Sequence, residues 1–428
     1  MRVAFVVGQF PALSETFVLN QVTGLLDRGI DVDIYAATRL PERRVHAAVE
    51  RYRLLERTHY ARGGKGGTFT TRLRLAWIFA RASARALGSR HRLNRLSRSG
   101  RLDANQALPF SHMARGPARR YDIIHCHFGQ YGNWGLALRN MGILDGALVT
   151  TFHGYDMSKT IRESGSGAYD RLFEEGDLFL PISDYWRRAL IEMGCPAERT
   201  IVHHMGVDGR NFPFRPRALP SAGERLRLLT VGRLVEKKGV EYAIRAVAQI
   251  ARENNVIEYE IVGSGPLEGE LKRLIGDLGA ADFIRMVGGL TQDEVAERMG
   301  RAHALLAPSV TARDGNQEGI PVVLMEALAT GLPPITTYHT GIPELVEHEV
   351  SGLLAPERDV DALAVQLRRL MADSGFYQRL SQAARQRVEA EFDIDKLNDR
   401  LVRIFDAAAA GAYGDLAPLD AAAIGTTA

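Results

Sequence analysis

Short apolar runs recur along the chain, separated by stretches whose apolar residues fall at helical spacing. Runs at residues 3–7, 32–36, 123–125, 148–152 and 178–182 predict five strands. Between the first two, residues 15–28 place Phe17, Val22, Leu25 and Leu26 on one face, with Ser14 as N-cap and Gly29 as the stop, so a helix is expected there. A second series follows the proline-rich stretch 212–220, with strands predicted at 226–231, 258–262, 284–287, 304–307 and 335–337. Strands alternating with amphipathic helices build parallel sheets covered on both faces, so the chain reads as two α/β domains. The expected divisions are residues 1–205, residues 206–393, a C-terminal helix at 394–413 packing back on the first domain, and a flexible tail at 414–428.

A length of 428 residues supports two cores of this kind. No apolar run approaches the roughly 20 residues of a membrane span. Residues 1–7 enter a strand-like run directly, without the features of a secretory leader, which makes the cytoplasm the expected compartment. Cys126 and Cys195 are too few for a disulfide framework and lack the spaced partners of a zinc site. Charge is uneven: between Arg57 and Arg120 stand fifteen Lys or Arg and a single acid, Asp103, whereas the whole chain carries only +3. A glycine-rich basic loop at 62–67 and a basic amphipathic helix at 71–98 are expected there, and such a density of positive charge calls for an anionic neighbour or an open solvated face. Nucleic acid is not the expected partner, because the segment lacks the interleaved aromatics of a stacking platform.

The strongest local signal is Glu318-Gly319-Ile320-Pro321-Val322-Val323-Leu324-Met325-Glu326-Ala327-Leu328-Ala329-Thr330-Gly331. Pro321 suits the first turn of a helix and Gly331 the left-handed position after its last turn. Glu318 would then precede a helix N-terminus whose free N–H groups, at residues 319–322, attract a diphosphate. Glu326 lies further along the same element. A second signal, Val231-Gly232-Arg233-Leu234-Val235-Glu236-Lys237-Lys238-Gly239, sits at a strand's carboxyl end, where open α/β sheets bind ligands. Arg233 can fork onto phosphate oxygens and Lys238 can add a point charge, while Lys237 is expected to face water.

These two segments resemble the donor site of glycosyltransferase family 4, a retaining family with the GT-B fold of two Rossmann-like parallel-sheet domains facing a central cleft. The resemblance implies that Glu326 binds the ribose hydroxyls of the nucleotide, that Glu318 lies at the donor sugar, and that Arg233 and Lys238 clamp the diphosphate. Gly319, Ile320 and Pro321 would line the donor. Thr151-Phe152-His153-Gly154-Tyr155-Asp156 resembles the family's His-Gly-any-Asp turn, which implies that His153 approaches the sugar's 6-hydroxyl. Val262-Gly263-Ser264-Gly265-Pro266 resembles its glycine turn over the nucleotide, although Gly269 falls one residue late for a dinucleotide fingerprint. The opening Gly8-Gln9-Phe10-Pro11 and the later Ile124-His125-Cys126-His127-Phe128-Gly129 resemble the branch that builds bacterial exopolysaccharides of the colanic acid and amylovoran type. Gly8 is thus a donor-binding candidate, and His127 and Asp156 are candidates for contact with acceptor or donor, with orientation of the turn the other role open to Asp156.

The implied activity is transfer of a hexosyl-type sugar from a nucleoside-diphosphate donor, with UDP or GDP favoured, to a glycan or polyprenyl-diphosphate-linked acceptor. No tightly bound cofactor and no metal are expected, since Arg233, Lys238 and the helix start already supply positive charge and His125-Cys126-His127 has no further ligands. The basic segment 57–120 would then hold the enzyme at an anionic membrane on the inner face of the plasma membrane. Two alternatives are a soluble small-molecule acceptor and a sugar-nucleotide 2-epimerase of the same architecture. A nicotinamide dehydrogenase does not fit, because the first strand is not followed by the required glycine series.

Overall fold

The computed structural model describes residues 1–12, 16–39, 46–61, 76–77, 79–80, 82–84, 102–115, 118–221, 223–253 and 257–416. It divides into two compact units: residues 1–181, 187–203 and 398–426 form the first, and residues 182–186 and 204–397 form the second, together with the last two residues.

The first unit is built on a parallel sheet of six strands in the order β3-β2-β1-β4-β5-β6: β1 (Arg2–Gln9), β2 (Asp31–Thr38), β3 (Thr58–Tyr60), β4 (Arg119–His127), β5 (Leu144–Phe152) and β6 (Leu178–Pro181). The inner strands are apolar on successive residues because both faces are covered; Val3, Ala4, Phe5 and Val6 of β1 are fully buried. The helix Thr16–Asp27 places Val22 and Leu25 in that core. Ser14 and Glu15, read as its cap and first residue, lie outside the described residues. The helix Ile394–Ala410 contributes Leu401, Ile404, Phe405 and Ala408 to the same core.

The second unit repeats the architecture, with order β12-β11-β10-β7-β8-β9: β7 (Leu226–Val231), β8 (Ile257–Val262), β9 (Ile284–Gly288), β10 (Ala304–Ala307), β11 (Pro334–Thr337) and β12 (Leu353–Ala355). All its pairings are parallel, so every strand delivers its carboxyl end to the same edge. The helix Val240–Glu253 after β7 buries Val240, Ala243, Ile244, Val247 and Ile250 against the sheet.

The ten strands expected from the apolar runs are all present. Missing from that expectation are β3 and β12, three-residue strands at the outer edges of the sheets, too short to set a period. Most of the basic loop at 62–67 and helix at 71–98 lies outside the described residues. Asp103, the lone acid of that segment, is buried and accepts hydrogen bonds from Arg171 and Asn140. Among the described residues, no helix is long and apolar enough to cross a membrane.

Candidate active site

In the second unit the loops after β7 and β8 are zipped together by their backbones: Gly232 N–H donates to the Val262 carbonyl at 3.0 Å, Leu234 N–H to the Ser264 carbonyl at 2.9 Å, and Leu267 N–H to the Leu234 carbonyl at 3.1 Å. Gly263 and Gly265 make this contact possible. A Cβ on Gly263, whose φ is +141°, would stand 1.9 Å from the Gly232 carbonyl oxygen, and one on Gly265 would stand 2.5 Å from that of Leu234. Packing between the two loops is therefore reason enough for both glycines. The zipped loops fix the base from which Arg233, Lys237 and Lys238 project. Arg233 is exposed, and its side chain makes no hydrogen bond or ion pair among the described residues. Lys237 is different from its expectation: it is buried rather than water-facing, with Nζ 3.3 Å from the Gln317 carbonyl and 3.2 Å from Glu318 Oε1.

Glu318 is likewise buried, and Lys238 Nζ reaches the same oxygen at 3.2 Å. Burial alone would raise the Glu318 pKa, but the ammonium groups of Lys238 and Lys237 more than offset it and hold the carboxyl down to about 2. One carboxylate shared by two cations cannot fully compensate both, so burial pulls the Lys237 pKa below its usual value, with Glu318 opposing and Lys238 and Arg233 adding to the depression. The Glu318 backbone is held as well. Its N–H donates to His339 Nε2 at 3.1 Å, and Thr340 Oγ1 lies 3.0 Å from the carbonyl oxygens of both Glu318 and Gly319.

Gly319, Ile320 and Pro321 are buried and lead into the helix Val322–Ala329. Pro321 stands at the N-cap, with φ −63° and ψ 125°, one position earlier than the first turn, and among the described residues no side chain caps this helix start. Its first N–H groups are therefore available to an anion. Gly331 takes φ +74° beyond the last turn. Glu326, on the second turn, retains some surface but is closely surrounded by protein. Burial pushes its carboxyl up to about 7, against the pull of Lys238.

The first unit gathers a different set at the carboxyl ends of β4 and β5. Alternation along β4 puts His125 and His127 on one face, their rings 4.5 Å apart. His127 Nδ1 lies 3.0 Å from His153 Nε2, so one ring donates to the other, while His127 Nε2 is buried without a hydrogen-bond partner among the described residues. Phe17 covers His153 at 4.6 Å between ring centres, and Phe128 does so at 4.5 Å. In this apolar setting burial lowers the His127 pKa to about 3, and burial with His127 beside it lowers that of His153 well below the usual range. Both rings are neutral at pH 7.

Asp156, read from the sequence as a possible ligand contact, is instead fully buried and engaged by the backbone. Its Oδ1 accepts from the N–H groups of His153 at 3.0 Å and Gly154 at 2.9 Å, and its Oδ2 from Gly129 N–H at 2.9 Å. These bonds orient the His153 turn. Gly8 closes the end of β1 against Tyr131: a Cβ there would stand 2.0 Å from the tyrosine oxygen.

The second unit thus collects Glu318, Lys238 and Glu326 around one helix start, with Gly319, Ile320 and Pro321 leading into it and Arg233 on the loop beside it. The first unit collects His127, His153 and Asp156, with Gly8 on neighbouring β1. Sequence reasoning missed Lys237, His339 and Glu357, the last of which meets His339 Nδ1 through its carboxylate, because their partners lie far away in the chain. Among the described residues, no three His, Cys, Asp or Glu side chains cluster as a metal site.

Residues 14–210 match the family model for Glycosyltransferase Family 4, and residues 211–387 match that for Glycosyl transferases group 1. The chain is 42% identical over 397 residues to the amylovoran biosynthesis glycosyltransferase AmsK of Erwinia amylovora, covering 92% of this chain and 96% of that protein. It is 38% identical over 414 residues to the putative colanic acid biosynthesis glycosyltransferase WcaL of Escherichia coli K12, covering 95% of this chain and 100% of that one. Anabaena HepE, solved in complex with UDP and glucose, superposes with a TM-score of 0.67 at 17% identity, over 95% of this chain and 100% of that one. With matches to both family models, near-full-length relatives and two parallel six-stranded sheets, the chain belongs to glycosyltransferase family 4, has the GT-B fold and is a glycosyltransferase.

Proposed function

We propose that this glycosyltransferase moves a sugar from a nucleoside-diphosphate sugar, with retention of anomeric configuration, to a hydroxyl of a glycan or polyprenyl-diphosphate-linked oligosaccharide in the synthesis of a bacterial surface polysaccharide. The observation that carries the reading is the basic and carboxylate group of the second unit: Arg233, unpaired among the described residues, and Lys238, which reaches Glu318, beside a helix start that no described side chain caps. A diphosphate is the chemistry that answers all of these together. Residues 206–393 are accordingly assigned to the donor and residues 1–205 to the acceptor.

Arg233, Lys238 and the N–H groups at the start of the helix Val322–Ala329 take the charge that grows on the departing diphosphate. Glu326 accepts from the ribose hydroxyls and Glu318 from hydroxyls of the sugar. His153 meets the sugar's 6-hydroxyl, held in place by Asp156 and His127. The anomeric C–O bond to phosphate breaks and the acceptor oxygen bonds on the same face, its proton passing to the departing phosphate oxygen. The donor nucleotide is UDP or GDP; the UDP in the HepE complex supports the first. No metal takes part. The relatives named for amylovoran and colanic acid synthesis support the glycan acceptor. The basic segment 57–120 binds an anionic membrane on the cytoplasmic side, with the exposed rings of Trp77 and Phe79 available to its interface.

The test is product analysis with UDP- and GDP-sugars, in EDTA, with and without glycan or lipid-linked acceptors. Expected is acceptor-dependent release of nucleoside diphosphate and a glycoside with the donor's anomeric configuration. Inverted product, dependence on a divalent ion, or consumption of donor alone to a 2-epimer would overturn the reading. Vesicle sedimentation tests the membrane role: binding that ignores anionic lipid content and salt rejects it.

A further inference from the structure

Residues 308–321, which carry Glu318, form neither helix nor strand, so the carboxylate owes its position to side-chain tethers. His339 and Glu357 supply the chain of them. The His339 ring is fully enclosed, and its Nε2 accepts the Glu318 N–H at 3.1 Å, which leaves the ring proton on Nδ1. Nδ1 lies 2.5 Å from Glu357 Oε1, and Glu357 Oε2 accepts the Thr311 N–H at 2.8 Å. Thr311 lies in the same irregular stretch, so Thr311 and Glu318 are tied together through one imidazole and one carboxylate. The next residue, Thr340, binds the carbonyl oxygens of Glu318 and Gly319. The charged groups facing the ring are Glu357, Glu318 and Lys237. A protonated ring would have no lone pair for the Glu318 N–H, and burial disfavours that form.

We infer that His339 and Glu357 are positioning residues for sugar transfer, holding the Glu318 loop so that its carboxylate is presented from between Lys237 and Lys238. The inference rests on the reading of Glu318 as the group at the donor sugar. Neither His339 nor Glu357 touches a reacting atom; each acts through Glu318.

The test uses His339→Ala, His339→Gln, Glu357→Gln and, as reference, Glu318→Gln, each assayed for transfer and titrated with UDP and GDP. Loosening a group at the reacting centre should lower kcat of His339→Ala and Glu357→Gln roughly tenfold to hundredfold. Affinity for the nucleoside diphosphate, which does not use Glu318, should stay within about twofold of wild type. His339→Gln should recover much of kcat, because its carboxamide oxygen can accept the Glu318 N–H. The double variant His339→Ala/Glu318→Gln should be no slower than Glu318→Gln alone. If Glu318→Gln is impaired while His339→Ala and Glu357→Gln keep wild-type kcat, or lose only nucleotide affinity, the inference is wrong. If Glu318→Gln itself is unimpaired, the role proposed for Glu318 fails instead. Should His339→Ala not fold, Glu357→Gln decides, with the same kcat-only loss expected.

Discussion

Glu326 makes donor binding dependent on pH in a calculable way. Burial raises its carboxyl to about 7, yet accepting two ribose hydroxyls requires the ionised form. One pH unit below that value, about nine in ten molecules are protonated, and the cost of ionising them is about 1.4 kcal/mol, or tenfold in affinity. Sugar-nucleotide affinity should therefore be level above pH 8 and fall roughly tenfold per unit below 7, reaching about a hundredfold loss at pH 5. A sugar nucleotide is the right probe because its diphosphate is esterified at both ends and does not itself titrate in this range. Glu318 and His127 do not interfere, since Lys238 and Lys237 hold the first at about 2 against its burial and burial holds the second at about 3. Calorimetric titration between pH 5 and 8.5, in pairs of buffers differing in ionisation enthalpy, measures both affinity and protons released. Nearly one proton should leave per donor bound at pH 6. Glu326→Gln should bind more weakly and lose the dependence. Equal affinity at pH 8 and 5.5, or an unchanged profile in Glu326→Gln, refutes the reasoning.

Two further outcomes follow from the same structure. Glu318, whose pKa falls from 4.5 to about 2 on folding, contributes about 3 kcal/mol that is present above pH 4.5 and lost as pH drops towards 2; Glu318→Gln should flatten that acid limb in thermal unfolding, and an unchanged limb would show the ion pairs to be weak. Gly263→Ala forces a Cβ to within 1.9 Å of the Gly232 carbonyl, so unfolding should move down by several degrees, about 2 kcal/mol or more, and an unshifted melting temperature would mean the zipped loops part readily.

The parts of this site that could be read from sequence are those set by local backbone chemistry. Val322–Ala329 is announced by Pro321 and Gly331 on either side, and the inner strands by apolar runs buried on both faces. What escaped depends on long-range partners. Lys237 is buried because Gln317 and Glu318 come to it from eighty residues away, whereas its neighbour Lys238 keeps access to solvent. His339 and Glu357 are unremarkable in the sequence and gain meaning only when β11 and the segment after β12 bring them to Glu318 and Thr311. Asp156 was visible as part of a turn, but only its three backbone donors tell orienting from contact.

The central claim is that the basic group of the second unit grips the diphosphate of an activated sugar. Titration of the preferred sugar nucleotide into wild type and Arg233→Ala tests it most directly. Losing a charge-assisted hydrogen bond to phosphate should weaken binding by about 1.5–3 kcal/mol, on the order of tenfold to a hundredfold, with the fold intact. Equal affinity in the two proteins, or no sugar-nucleotide binding by the wild type, would contradict it.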